Sequence, residues 1–291
     1  MTAATPGAAT VALVTCADKR YADPEIHVVA AGLRERGLAV DVVAWDDERD
    51  WASHPLVAVR STWDYFDRLP EFTDWVARVD RVTRLVNPAD VIRWNAHKGY
   101  LQELETKGVP TVPTRLVPGT STDVADQVRE CPWDELVVKL AVDGGARTLW
   151  RGRRDDPALS RVAERLAARG DVVVQPFAPG IADGERSLVF LGGRFSHAVR
   201  KVPAVGDYRS QSFLGGTEAP HEADSAELRV ALAAMALAPG RLTYARVDLV
   251  DWEGVPSLME LEAIEPDLFF RGVPERLDRF AEVLREELGS A

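Results

Sequence analysis

Three carboxylates near the C-terminus carry the strongest chemical signal in this sequence. Arg246-Val247-Asp248 lies in one apolar run, TYARVDLV, and Met259-Glu260-Leu261-Glu262 in a second, VPSLMELE, with DWEG between them. Side chains alternate faces along a strand, so Glu260 and Glu262 point the same way. A hairpin turning near Gly254 would set Asp248 opposite Glu260 and gather all three acids on one face. Like charges facing each other across strands are destabilising without compensation, and a bound cation supplies it. Hard oxygen donors with no thiolate or imidazole beside them favour Mg²⁺ over zinc, with Mn²⁺ as the alternative ion. Mg²⁺ held by few carboxylates takes its remaining ligands from phosphate and water. Taken alone, the same acids read more simply as a solvated hairpin face, and Glu265 and Asp267, which continue the run, as exposed.

Phosphate chemistry has its own candidates. Lys139 lies inside an apolar strand pattern, ELVVKLAV, where an ammonium needs a partner or a ligand anion. Asp143-Gly144-Gly145-Ala146-Arg147 follows, and its glycines let backbone approach a phosphate and let the loop move. Lys98 sits on a helix expected to open at Asn95, within reach of a phosphate; His97 beside it reads as structural. Gln175-Pro176-Phe177 ends a strand whose free backbone groups suit an adenine edge, with Phe177 for apolar contact. Asp183 and Glu185 follow, in reach of a ribose or a metal. Arg200-Lys201 ends another strand and suits phosphate or carboxylate. Arg60, at a strand's C-terminal end, suits a substrate carboxylate, Asp64 its amine, and Arg271 a carboxylate again. Each has an ordinary reading too: a turn, a snorkelling lysine, a strand end, an exposed basic pair, a helix entry, a loop arginine. There is no GxxxxGK[ST] and no GxGxxG after the first strand, which argues against a Walker loop and a Rossmann-type dinucleotide site.

The elements that must position these residues follow from periodicity. Strands are expected at 10–16, 39–45 and 56–60, with helices at 25–36, stopped by Gly37, and at 70–80, opened by Pro70. That alternation describes a parallel α/β lobe over 1–95. A helix from Asn95 to Lys107 starts the next unit, with strands at 111–117, 135–141 and 171–177 and helices at 121–130 and 157–169, giving an α+β lobe over 96–180. Beyond it, SLVFL-GG-FSHAVRK reads as a hairpin, 225–237 as a helix, 244–262 as a second hairpin and 274–288 as a closing helix, so that 181–291 forms an antiparallel lobe carrying the metal site.

With 291 residues and 46% apolar content the chain can bury a core for two or three lobes. A net charge of -11, from 46 acidic against 35 basic residues, argues against nucleic acid or an anionic membrane as partner. An anionic nucleotide would then need positive charge concentrated locally. Cys16 and Cys131, with no CxxC, fit a reducing compartment and no zinc site. The start, MTAATPGAAT, is expected to fray and lacks the basic and apolar segments of a signal peptide. No run approaches the roughly 18 apolar residues of a membrane span, so the expectation is a cytoplasmic protein. Its oligomeric state is open, a homodimer included.

In their order these motifs resemble the ATP-grasp superfamily, over roughly residues 95–289. NxxK (Asn95 to Lys98) precedes VVK with its GG loop, then QPF with a downstream acid, the Arg-Lys pair, RVD and ExE. The resemblance implies ATP held between two α+β lobes, with 143–147 closing over the phosphates. It implies Lys98 and Lys139 on the phosphates, 175–177 at adenine, and Mg²⁺ on Asp248, Glu260 and Glu262. Many members carry Asn where this chain has Glu262, which adds negative charge and leaves the number of metals open. VRSTWDY (59–65), NPADVIRWNAHK (87–98) and ELEAIEPDLFF (260–270) are similar to a narrower group that includes the ring-closing ligase of cycloserine biosynthesis, which acts on O-ureido-serine. The activity so implied is phosphorylation of a carboxylate by ATP and attack on the acyl phosphate by a nitrogen of the same amino-acid substrate. Arg246 and Arg200 are the candidates to stabilise the reacting group. A ligase joining two molecules is the alternative. A nucleotide-binding protein without catalysis would have lost the carboxylates or the lysines, and all are present.

Overall fold

The computed structural model describes residues 10–271 and 273–289; the start expected to fray lies outside them. Four parallel strands open the chain, β1 (Thr10–Thr15), β2 (Ala39–Ala44), β3 (Leu56–Ser61) and β4 (Arg84–Val86), ordered β2-β1-β3-β4. Every residue of β3 is buried, as expected of a parallel strand covered on both faces. Helices α1 (Ile26–Glu35) and α2 (Leu69–Val79) connect them. Helix α2 starts with Pro70 in its first turn and buries Phe72, Trp75, Val76 and Val79, one stripe at helical spacing.

The helix expected to run from Asn95 is instead two, α3 (Ala89–Asn95) and α4 (Tyr100–Thr106). Asn95 ends α3 rather than capping a helix, because its amide is committed to distant backbone. The central sheet follows, with β5 (Arg115–Val117), β6 (Glu135–Leu140), β7 (Trp150–Arg153) and β8 (Val172–Pro176) in the antiparallel order β5-β8-β6-β7. Helices α5 (Val124–Arg129) and α6 (Pro157–Ala167) cover one side through Val128, Leu159 and Val162 against Leu136 and Val138. The expected strand at 111–117 contracts to 115–117. Strand β7 was not expected, since Trp-Arg-Gly-Arg shows no apolar alternation and lies at the sheet edge.

The last sheet contains β9 (Glu185–Leu191), β10 (Arg194–Val202), β11 (Thr217–His221), β12 (Tyr244–Trp252) and β13 (Val255–Glu262), ordered β11-β10-β9-β12-β13 and antiparallel. Both predicted hairpins form. Gly192 and Gly193 turn the first with φ of 63° and 75°, and Glu253 and Gly254 the second with φ of 52° and 80°, the paired positive values of a tight two-residue turn. One face packs Leu188, Phe190, Val247 and Leu261 against α7 (Ser225–Ala236). Helix α8 (Pro274–Gly289) shares a core with β1, β3, Val189 and Tyr244, so the first and last sheets are joined through apolar contact. Asn87 rivets the same seam: its amide donates to Tyr244 O at 2.8 Å and Ala263 O at 2.7 Å and accepts from Thr243 N at 2.6 Å.

His197 on β10 ties that strand to the segment before α8, with Nε2 donating to Leu268 O at 2.9 Å and Nδ1 accepting from Ser196. Burial, with the Arg276 charge second, pushes its pKa down to about 4. The unfolded chain takes up this proton near pH 6.5 and the folded chain only near 4, so stability falls as pH drops through that window. Wild type is expected to lose about 2 kcal/mol more than His197→Gln between pH 7 and pH 4, after allowance for its partial exposure. Denaturant midpoints at several pH values check this; parallel curves would refute it.

Candidate active site

Residues paired directly across antiparallel strands share a face. Asp248 pairs with Glu260 and with Ser187, Arg246 with Glu262, and Lys201 with Glu185. One face of the last sheet therefore presents Glu185, Ser187, Lys201, Arg246, Asp248, Glu260 and Glu262, and it is the face turned away from α7. Asp248 lies opposite Glu260 as expected. Arg200 does not join them. It pairs with Arg186, whose guanidinium meets Glu227 of α7 at 2.9 Å on the other face, and Arg200 itself is exposed. The two-residue period of a strand cannot turn both members of an Arg-Lys pair inward, so the catalytic role expected for Arg200 is withdrawn and Lys201 keeps its place.

Cations interleave with the acids. Arg246 holds Asp248 at 2.9 Å and also pairs with Glu262, while Lys201 bonds Glu185 at 3.1 Å and stands 3.7 Å from Asp248. Ser187 and Ser210 donate to Asp248 and Glu185. Burial would raise the Asp248 carboxyl, but Arg246 and Lys201 overcome it and hold the group well below the usual range. Burial, together with the Asp248 and Glu260 charges and against Arg246, pushes Glu262 up to about 7.

The central lobe contributes the lysines. Lys98, in the bend between α3 and α4, is buried, pairs with Glu260 at 3.1 Å and donates to Asp143 O. Lys139 on β6 is 8% exposed, and its ammonium has no hydrogen-bond or ion-pair partner among the described residues. Burial lowers its pKa; the Glu260 charge opposes this and repulsion from Lys98 adds to it. The loop 143–147 sits beside both. Asp143 anchors Thr148 through its backbone N at 2.9 Å and its hydroxyl at 2.6 Å, and Gly145 turns at φ 63°.

At the strand end, Gln175 spends its side chain on Thr114 Oγ1 at 2.9 Å, and Phe177 N donates to Glu135 O at 2.9 Å. The Arg151 guanidinium lies 3.4 Å over the Phe177 ring, and Tyr208 meets that ring edge-on. A cleft of about 340 Å³ opens nearby, between Arg147, Leu149 and Trp150 and the 206–209 turn. Glu185 faces inward, whereas Asp183 is exposed on a turn and stands outside the cluster.

The substrate residues expected in the first lobe are engaged otherwise. Arg60 is buried over the Tyr244 and Phe280 rings and donates to Pro266 O at 3.0 Å. Asp64 is buried, accepting from the Trp45 indole at 2.7 Å with Arg68 3.4 Å away. Arg271 is exposed and already meets Asp267 at 2.6 Å and Glu25 at 3.1 Å. Arg60 and Arg271 line one small cavity of about 40 Å³. Arg60 Nη1 is buried without a hydrogen-bond partner, so Arg60 still has a donor to offer a carboxylate, whereas Asp64 and Arg271 are taken up by the partners just named.

Glu265, expected on the surface, is half-buried and has no partner for its carboxylate among the described residues. Burial, then the Glu262 charge, raises its pKa well above the usual range. Sequence reading also missed the clamp on β13: Asn95 donates to Leu261 O at 2.7 Å and accepts from Ala263 N at 2.8 Å, and the Tyr100 hydroxyl meets both polar groups of Leu261. These residues fix the strand between and after the two glutamates. No spacing rule links Asn95 to a strand so far along the chain.

Among the described residues, no three of Asp, Glu, His and Cys form a cage for a metal. The acids do face one another across the strand pair, with Asp248 opposite Glu260 and Glu262 on the same face. That donor set fits a divalent ion arriving with phosphate oxygens better than an ion held by protein alone.

Two lobes enclosing an acid-lysine cleft, with a glycine loop at its edge, define an ATP-grasp ligase. The prokaryotic glutathione synthetase ATP-grasp domain matches residues 104–255, and the N-terminal domain of the D-cycloserine synthetase DcsG matches residues 11–87. Over its length the chain is 32% identical to the cycloserine biosynthesis protein DcsG of Streptomyces lavendulae, covering 96% of this chain and 98% of that one. The crystal structure of D-cycloserine synthetase DcsG superposes with a TM-score of 0.86 at 31% identity, covering 96% and 99% of the two chains. The D-alanine–D-alanine ligase of Bacillus anthracis shares the fold, with a TM-score of 0.70 at 14% identity over 97% of each chain. The chain belongs to the DcsG family of ATP-grasp ligases, enzymes that use ATP to form a C–N bond.

Proposed function

We propose that this ligase closes O-ureido-D-serine to D-cycloserine. The observation that carries the reading is similarity to DcsG along the whole chain, including the first lobe, which matches the DcsG N-terminal domain over residues 11–87. The substrate carboxylate attacks the γ-phosphorus of ATP, ADP leaves, and an acyl phosphate forms. The substrate nitrogen bonded to oxygen then attacks the acyl carbon and phosphate leaves, closing a five-membered ring. Water removes the carbamoyl group as carbon dioxide and ammonia.

Lys139 and Lys98 would hold the phosphates, the 175–177 backbone the adenine edge, and Glu185 the ribose. Asp248, Glu260 and Glu262 would bind Mg²⁺, which neutralises charge on the transferring phosphoryl group. Arg246, charged at any working pH and placed between Asp248 and Glu262, would steady the acyl phosphate. Cys16 and Cys131 are free and buried, as a cytoplasmic enzyme allows. Among the described residues no helix is long and apolar enough to cross a membrane.

The test is ADP release with Mg²⁺ over a panel of amino acids that includes both O-ureido-serine enantiomers, with mass spectrometry of products. Turnover on the D enantiomer alone, yielding the cyclic product, is expected. Turnover only after a second amine is added would replace this reading with an intermolecular ligase.

A further inference from the structure

We propose that Arg147 is a positioning residue that latches the glycine loop shut against the first lobe. The loop leaves β6 of the central sheet, yet its last residue docks on residues from two turns of the N-terminal lobe. The Arg147 guanidinium centre lies 4.0 Å from the Phe66 ring centroid and 5.3 Å from that of Tyr21. Its Nη2 meets Asp67 Oδ1 at 3.0 Å and its Nη1 bonds the Tyr21 hydroxyl. That hydroxyl donates to Asp67 Oδ2 at 2.7 Å, and the Tyr21 and Phe66 rings meet edge-on at 5.7 Å, so the dock is itself braced.

A second, separate contact brings the loop to the same place. A Cβ at Gly144 would come within 2.9 Å of Phe66 Cε1. Glycine here allows more than motion: it lets the loop backbone lie against the ring. The base of the loop reaches the other way, because Asp143 O accepts from Lys98, a lysine of the phosphate cleft. One five-residue loop thus joins the first lobe at its tip to the cleft at its base.

An exposed ion pair alone would hold little. Arg147 and Asp67 are about one-third exposed, and the stacking of a planar cation on Phe66 adds a directional contact that lysine cannot reproduce. With nucleotide beneath the loop, opening the latch becomes a step in release, the kind of step that sets turnover in many enzymes. The closure of the nucleotide site is then conditional on the N-terminal lobe.

The inference concerns nucleotide retention and stands whichever amino acid is the substrate. It is tested on the whole chain with Mg²⁺ and a fluorescent mant-ADP, chased by excess ADP in stopped flow. Arg147→Ala is expected to raise the dissociation rate about five- to twentyfold, and Asp67→Asn and Phe66→Leu about three- to tenfold, with unchanged melting curves. Arg147→Lys should fall between wild type and Arg147→Ala. The Arg147→Ala/Asp67→Asn double variant should release nucleotide no faster than Arg147→Ala within about twofold, since both remove one contact. Wild-type rates in Arg147→Ala, or additive effects in the double variant, overturn the latch. If Arg147→Ala binds too weakly to measure, Asp67→Asn and Phe66→Leu decide, because they lie on the opposite lobe; wild-type rates in both overturn it.

Discussion

Lys139→Met is expected to lower ATP turnover by about a hundredfold or more while leaving the melting temperature unchanged or higher. The two effects have one cause. An ammonium buried to 8% exposure with no hydrogen-bond or ion-pair partner among the described residues costs free energy in the empty protein, which attraction to Glu260 offsets only in part. Lys98 close by adds repulsion, which shows in the lowered Lys139 pKa, behind burial as the main cause. Methionine keeps the length and apolar stem and removes the charge, so the strand relaxes. The charge repays its cost only when an anion arrives, and removing one preorganised donor from a transferring phosphoryl group costs on the order of 10²–10³ in rate. A thermal melt and an ADP-release assay on the same preparation check both halves. A variant that melts several degrees lower and still turns over ATP would show that Lys139 serves the fold, and would remove it from the site.

Residues whose role depends on local pattern were legible in the sequence, and those whose role depends on distant partners were not. Asp248 was set against Glu260 from a hairpin turning near Gly254; the turn pairs Trp252 with Val255 and by itself would oppose Asp248 to Met259, and an irregularity between Asp248 and Leu249 shifts the register by one so that Glu260 stands opposite. Lys139 stood out because a lysine inside Val-Val-Lys-Leu breaks an apolar strand. Arg200 failed for a reason the sequence already contained: neighbours on a strand face opposite ways, and only one of Arg200 and Lys201 can enter the cleft. Arg60, Asp64 and Asn95 have partners that were hidden for a different reason. Their types suggested ligand, amine and cap, but their partners are Pro266 O, the Trp45 indole and the Leu261–Ala263 backbone, which only the tertiary fold brings near. Glu265 was read as exposed because an acidic run after a strand usually is. The chain turns it back instead, and Trp63 Nε1 holds its carbonyl at 3.2 Å.

Glu260→Gln is expected to cut kcat/KM by about 10²-fold or more and to raise the Mg²⁺ concentration for half-maximal rate by about tenfold. Glu260 is the acid that both lobes share. It faces Asp248 across the β12–β13 pair and takes Lys98 at 3.1 Å from the other side. Burial would raise its pKa, but Lys98 and Lys139 overcome that, so it is ionised at neutral pH. Glutamine keeps the shape and one oxygen and loses the charge that a divalent ion and two lysines all need. Lys98 would then be left with only the Asp143 carbonyl, and stability should fall by about 1–3 kcal/mol. Glu262→Asn supplies the contrast. Its carboxyl is already pushed up to about 7, by burial first and by Asp248 and Glu260. An amide there keeps an oxygen for the ion and relieves that crowding, so activity should stay within about tenfold of wild type. Rate against Mg²⁺ concentration for the two variants separates a bridging ligand from a crowded one. An unchanged Mg²⁺ midpoint in Glu260→Gln would move the ion away from this strand pair. Equal damage in both variants would mean that total negative charge, rather than placement of Glu260 between the lobes, is what the reaction needs.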